Sequence, residues 1–199
     1  MENMKSYTNI LIIVDMQNDF ITGSLGTPEA ASILPNVVER IEKSRNELIL
    51  LTQDSHETNY LETQEGKLLP VEHCIQGTWG WHLEDGVKAA WQRKMEESCL
   101  AECLDSLKIE NYKYEKNTFG GIELVEGLKK ISEDGHLSSI TLAGLCTDVC
   151  VISNALLIKA FFPETLILVD ASCCAGVTPE SHQTALEAMK MCQIVILNQ

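Results

Sequence analysis

Short runs rich in Ile, Leu and Val alternate along this chain with longer amphipathic segments, the sequence form of a parallel sheet covered by helices on both faces. The runs at 9–14, 47–52, 112–116, 139–145, 165–169 and 193–197 read as six strands. Helical patterns fall between them at 28–43, 87–107, 121–133, 148–160 and 179–191. The last opens on a clear start signal, with Thr178 as N-cap, Pro179 in the first turn and Glu180 close behind. No repeat, low-complexity tract or Pro/Gly/Ser linker interrupts the pattern. The expectation is one domain over residues 1–199, an α/β fold with a doubly wound six-stranded parallel sheet.

A chain of 199 residues buries roughly 70% of the surface its unfolded form exposes, so it needs neither disulfide nor metal to fold. A metal site in it is therefore read as functional. Fifteen Lys and Arg against 29 Asp and Glu give a net charge of -14, which repels nucleic acid and anionic lipid. The eight cysteines do not imply a disulfide scaffold, a device mainly of short secreted chains, and the thiols are expected to be reduced. The first twenty residues show no cleavage site and no apolar span of about 20 residues, so the expected compartment is the cytoplasm.

In doubly wound sheets ligands collect at the carboxyl ends of the strands. Asp15 follows ILIIV, Lys116 follows YKYE, and Cys150 lies just past ITLAGL. The first strand runs into DMQNDF rather than G-x-G-x-x-G, which removes a dinucleotide site at its defining feature. The segment GLCTDVC leaves a buried strand and opens a helix, with Thr147 or Asp148 as N-cap and Cys150 in the first turn. Unpaired amides and the positive end of the helix dipole there favour a thiolate and offer donors to an oxyanion. Taken singly, Cys150 also reads as a small core hydrophobe, Asp15 as a turn former and Lys116 as a solvated loop residue. Their convergence at one sheet edge, as nucleophile, proton acceptor and cation, favours catalysis.

A second constellation is Asp54-x-His56 with His73. Two imidazoles and a carboxylate suit zinc, iron or manganese with coordination positions left open. Glu65 reads either as a fourth oxygen ligand or as a solvated carboxylate. The cysteines form no Cys-x-x-Cys knuckles, and the pairs Cys99/Cys103 and Cys173/Cys174 read as packing residues, the latter just after a strand.

In order, IIVDMQNDF, TQDSH, EHCIQGTWG, YEKNTFGG, GLCTDVC and DASCCAGVTPESH resemble the isochorismatase-like cysteine hydrolases, within them the nicotinamidase (pyrazinamidase) branch, over nearly the whole chain. The resemblance implies a six-stranded parallel sheet and a catalytic triad of Asp15, Lys116 and Cys150. Asp15 would take the thiol proton and pass it to departing ammonia, and Cys150 would form a thioester that water hydrolyses. It also implies a cis peptide before Cys146 and an oxyanion hole from the backbone amides of Cys146 and Cys150. Asp54, His56 and His73 match metal ligands that hold a pyridine nitrogen, with Glu65 at an acidic fourth position. Zinc is the first expectation, manganese and iron the alternatives. Phe20 matches a position that packs on the substrate ring. The implied reaction is nicotinamide to nicotinate plus ammonia, by a homo-oligomer.

One departure bears on the substrate. Many nicotinamidases have Trp-Pro before the metal histidine, whereas this chain reads Leu69-Pro70-Val71-Glu72-His73. The aromatic wall must come from elsewhere, and Trp79 and Trp81 are near in sequence. The rival readings are the same machinery acting on another small amide or ureido compound, a catalytically silent small-molecule binding protein, and a thiol redox pair of Cys146 with Cys150.

Overall fold

The computed structural model describes residues 9–97, 112–133 and 137–199. Its strands are β1 (Asn9–Val14), β2 (Leu48–Asp54), β3 (Lys113–Lys116), β4 (Ser139–Leu145), β5 (Leu166–Ala175) and β6 (Val195–Leu197). They form one sheet in the order β3-β2-β1-β4-β5-β6, with every neighbouring pair parallel. The helices are α1 (Asn18–Ile21), α2 (Pro28–Glu42), α3 (Gln64–Leu68), α4 (Asp85–Glu97), α5 (Ile122–Glu133), α6 (Ile152–Phe161) and α7 (Pro179–Met191).

Successive strand side chains point to opposite faces, and the apolar runs fill both. Ile10, Ile12 and Val14 face Leu124 and Leu128 of α5, Ile158 of α6 and Leu186 of α7. Leu11 and Ile13 face Val37 and Ile41 of α2 and Val87 and Ala90 of α4. Among the described residues no helix is long and apolar enough to cross a membrane.

β5 runs on to Ala175 instead of ending at 169, so Cys173 and Cys174 lie inside the strand, one packed into each core. Asp170 disguised this continuation. Its carboxylate is buried but accepts from Ser172 Oγ at 2.8 Å and Asn198 Nδ2 at 3.0 Å, so the polar side chain is accommodated within the strand. β2 likewise extends to Asp54, and β6 is shorter than expected. The helix expected at 87–107 begins at Asp85; its remainder past Glu97, with Cys99 and Cys103, lies outside the described residues. Thr178 caps α7 as expected, accepting from Ser181 N at 3.1 Å.

The order of the sheet decides where chemistry can sit. The chain winds to one side from β1 and to the other from β4, which opens a crevice at the carboxyl ends of these two adjacent strands. Gly144 lets them close up there. It holds φ 122°, and a Cβ on it would lie 2.1 Å from Val14 O, so the crossing tolerates glycine alone.

Candidate active site

Asp15 is the first residue beyond β1 and holds φ 46°, a left-handed conformation that costs a non-glycine residue energy. Thr52 of β2 fixes it from both ends. Its Oγ1 accepts from Asp15 N at 3.2 Å and donates to Asp15 Oδ1 at 2.6 Å. The other carboxylate oxygen, Oδ2, lies 2.6 Å from Lys116 Nζ. The β2–β3 register pairs Asp54 with Lys116, and Nζ is accordingly 3.4 Å from Asp54 Oδ1. It is also 3.5 Å from Cys150 Sγ. Asp15, Lys116 and Cys150, expected from sequence to share the sheet edge, thus meet around one ammonium group, all buried.

The turn carrying Cys150 differs from the expected helix start. Thr147–Val151 form a π-helical turn before α6, with Cys146 at the cap position and no side-chain cap. The Cys146 carbonyl accepts from Val149 N at 3.1 Å and Val151 N at 3.0 Å, bonds that bracket the Cys150 amide without using it. The two side chains expected to cap reach outward instead. Thr147 Oγ1 bonds His182 Nδ1 at 2.8 Å, and the Asp148 carboxylate accepts from Val177 N at 3.1 and 3.2 Å. The peptide joining Leu145 to Cys146 is cis.

The electrostatics correct the expectation of a resting thiolate. Burial, reinforced by the neighbouring Asp15 charge, pushes the Cys150 thiol well up, and Lys116 only partly opposes it. Burial also raises Asp15 despite the pull of Lys116. Lys116 is raised as well: burial disfavours its charge, but Asp15, Cys150 and Asp54 more than compensate.

Asp54 turns its second oxygen to the other cluster. Oδ2 lies 3.0 Å from His56 Nε2 and 3.5 Å from His73 Nε2. Ligand atoms of these three buried residues lie within 4.8 Å of one another. Glu65 Oε1, on α3, is 3.8 Å from both imidazole nitrogens. His73 Nδ1 is 2.9 Å from Val71 O; a carbonyl can only accept, so Nδ1 carries a proton and Nε2 is the atom turned toward Asp54. His56 Nε2 is buried, with Asp54 Oδ2 at 3.0 Å and Glu65 Oε1 at 3.8 Å around it. Burial disfavours a charged His73, yet its bonds to Asp54 and Val71 outweigh this and raise its proton affinity. A buried set of two imidazoles and a carboxylate, its ligand atoms converging and drawing in positive charge, fits a divalent cation.

Several residues that the sequence left unassigned hold these clusters in place. Gln17, fully buried, accepts from Asp54 N at 2.7 Å and donates to Asp54 O at 2.8 Å and Trp81 O at 2.9 Å. Asp19 accepts from Cys74 N at 2.7 Å, and His56 N donates to Cys74 O at 2.9 Å, so the segment with His73 is tied to α1 and to His56. Asn154 joins the Cys150 turn to the loop after Lys116: Nδ2 donates to Cys150 O at 2.8 Å and Phe119 O at 3.1 Å, and Oδ1 accepts from Gly121 N at 2.9 Å. A polar residue inside an apolar helix run was the available signal for Asn154.

A cleft of ≈ 1090 Å³ opens onto His56 and Lys116, with Tyr60 and Phe119 as its aromatic side chains. Neither Trp79 nor Trp81 lines it; Trp81 is held by Ser55, its Nε1 donating to Ser55 Oγ at 2.7 Å. Nor does Phe20, whose buried ring packs on His73 at 5.6 Å between centroids. Tyr60 lies against both histidines, 4.7 Å from His56 and 4.9 Å from His73, and burial beside Glu65 and Asp54 pushes its hydroxyl up to about 12.

A buried thiol, carboxylate and ammonium lie beside a carboxylate–imidazole cluster at the switch point of this doubly wound α/β sheet. The chain belongs to the isochorismatase family, whose isochorismatase domain matches residues 9–199. The nicotinamidase of Schizosaccharomyces pombe is 24% identical over 219 residues, covering 98% of this chain and 94% of that protein. The pyrazinamidase/nicotinamidase of Streptococcus mutans superposes with a TM-score of 0.77 at 23% identity, covering 95% of this chain and 99% of that one. The pyrazinamidase of Pyrococcus horikoshii, solved in complex with zinc, gives 0.71 at 25% identity, over 96% and 99% of the two chains.

Proposed function

We propose that the protein is a metal-assisted cysteine amidohydrolase that converts nicotinamide to nicotinate and ammonia through a thioester. The observation that carries this reading is Lys116 Nζ reaching Asp15 Oδ2 at 2.6 Å and Cys150 Sγ at 3.5 Å. A buried carboxylate with raised proton affinity is a stronger base than a surface one. Asp15 takes the Sγ proton as the sulfur bonds to the amide carbon, then delivers it to the amide nitrogen. The C–N bond breaks and ammonia leaves. Asp15, again a carboxylate, deprotonates the water that attacks the thioester; the C–S bond breaks and the thiol re-forms. Lys116 balances charge as the proton moves, and the backbone amides of Cys146 and Cys150 serve the oxyanion.

Asp54, His56 and His73, with Glu65 as a fourth ligand, hold a divalent ion, zinc first and manganese or iron as alternatives. When bound, such an ion supplies a Lewis acid for the pyridine nitrogen. Phe20 and Tyr60 pack the histidine rings that hold it. A second reading keeps the machinery but changes the substrate to another small amide or ureido compound; the absence of Trp-Pro before His73 favours it. The free thiols of Cys74, Cys146, Cys173, Cys174 and Cys192 suit the cytoplasm. Homo-oligomeric assembly rests on the family resemblance.

The test is ammonia release from nicotinamide after chelation, with zinc, manganese or iron restored and Cys150→Ala as blank. Metal-dependent release lost in the variant is the expected result. Turnover by Cys150→Ala overturns the covalent route, and silence with every metal moves the substrate to another small amide. Binding of nicotinamide without ammonia release from any compound identifies a silent binding protein.

A further inference from the structure

The turn that carries Cys150 lacks a cap of its own. Cys146 stands at the cap position of Thr147–Val151 without a side-chain bond, and its carbonyl is taken up by Val149 N and Val151 N. A start of this kind leaves backbone groups that the turn itself does not fix, so its geometry depends on support from outside. That support comes from the segment that ends β5 and opens α7. Thr147 is fully buried, and its hydroxyl lies 2.8 Å from His182 Nδ1. Asp148 adds a second tie by accepting from Val177 N at 3.1 and 3.2 Å.

His182 has a rigid mount. It follows directly on a reciprocal capping box, in which Thr178 Oγ1 accepts from Ser181 N at 3.1 Å and Ser181 Oγ accepts from Thr178 N at 3.0 Å. His182 N donates to Thr178 O at 2.9 Å, and Pro179 sets the first helical turn. Leu186 and Met189 seat the same helix in the core. Gly176 lets its backbone come close: a Cβ there would lie 2.8 Å from His182 N and 2.9 Å from His182 Cα. Among the described residues His182 has no bond to the triad or to the metal cluster, so its loss leaves both in place.

We propose that His182 is a positioning residue for the reaction: acting through Thr147, it holds the turn between the Cys146 and Cys150 amides in the arrangement that receives the oxyanion. This role rests on the amidase reading and deepens it. Thr147 stands between the two amides in sequence, so a shift of its backbone re-aims the donors. Oxyanion donors act through being held in place before the charge develops.

The test measures ammonia release from nicotinamide, zinc per chain and hydrogen–deuterium exchange over residues 146–150 in zinc-loaded protein. His182→Ala should lower kcat about 100-fold, with KM within about threefold and zinc content unchanged. Thr147→Val, which keeps the shape of the buried side chain, should lose as much, and the double variant no more than either. His182→Asn, whose amide stands near the place of Nδ1 and can donate or accept, should recover kcat to within about fivefold of wild type. Exchange should quicken in the impaired variants and slow again in His182→Asn. An unchanged kcat in His182→Ala, losses that multiply in the double variant, no recovery in His182→Asn, or exchange that no variant alters overturns the role. So does a fall in kcat and KM together, in step with the loss of folded protein. Silence of the wild type with every metal, together with exchange that quickens and recovers as stated, overturns the amidase reading and leaves His182 as the anchor of the turn.

Discussion

Lys116 Nζ lies 3.4 Å from Asp54 Oδ1, and this contact makes one unit of two clusters that are separate in sequence. The other oxygen of Asp54 faces His56 and His73 at 3.0 and 3.5 Å. Burial resists the ionisation of Asp54, but bonds from the two histidines and the charge of Lys116 hold its carboxyl well below the usual range. Asp54 therefore shares its charge between an ammonium group and two imidazoles.

That sharing predicts different consequences for two neighbouring substitutions. Asp54→Asn should lower zinc content and change the rate at which iodoacetamide alkylates Cys150, because Lys116 then turns fully to Asp15 and sulfur. His56→Ala should lower zinc content by tenfold or more while leaving alkylation of the metal-free protein within about twofold of wild type. Metal per chain after dialysis, together with alkylation rates, checks both. Equal alkylation behaviour in the two variants would show that Asp54 does not connect the clusters.

Lys116→Met should cost about 3–5 kcal/mol in metal-free protein, because it leaves the fully buried Asp15 without its counter-charge. The sign of the pH dependence follows. Protonation removes the stranded charge, so the variant should recover part of its stability as pH falls, whereas wild type gains nothing comparable. Urea unfolding across pH measures this, and a penalty independent of pH would contradict it.

The apolar alternation made the sheet and its helices legible, because parallel strands buried on both faces leave an unbroken apolar run. It also placed Asp15 and Lys116, since a charged residue at the end of such a run marks the strand's carboxyl end. The true end of β5 was not legible: Asp170 reads as a terminator until Ser172 and Asn198 are seen satisfying it. Nor was the π-helical turn, because Thr147 and Asp148 are good local caps whose preferred partners turned out to be His182 and Val177. Tyr60 and Phe119 escaped for a related reason. Nearness in sequence pointed to Trp79 and Trp81, whereas the cleft is bounded by segments that the β2–β3 pairing brings together.

Away from the site, Arg40 and Glu47 form a paired fork at 2.8 Å on each arm, and Ser44 Oγ donates to Glu47 at 2.6 Å. Burial alone would raise the Glu47 carboxyl, but bonds from Arg40 and Ser44 outweigh it and hold it below its ordinary 4.5. A group lowered by folding adds stability above its unfolded pKa and loses it as pH falls through the folded value. Glu47→Gln should thus cost about 1 kcal/mol at pH 7, discounted for the partial exposure of both groups. The gap between variant and wild type should close progressively below about pH 4.5. Thermal unfolding at a series of pH values reads this directly; a gap that persists in acid would assign the loss to packing.

Asn154 gives the last prediction, as a positioning residue. It is fully buried, and its three bonds hold Cys150 O, Phe119 O and Gly121 N in one arrangement. Phe119 and Gly121 belong to the loop that leaves Lys116, so Asn154 ties the turn carrying Cys150 to the strand carrying Lys116. Asn154→Ala should lower kcat by about 100-fold, the scale of a small misplacement of reacting groups, with KM changed less than threefold. It should also cost about 1–3 kcal/mol through the polar groups left unpaired. Asn154→Asp retains the acceptor for Gly121 but loses both donated bonds, so it should not restore kcat. Asn154→Gln, with the same amide on a longer arm, should restore stability better than turnover. If kcat and KM shift together in proportion to the loss of folded protein, Asn154 serves the fold alone.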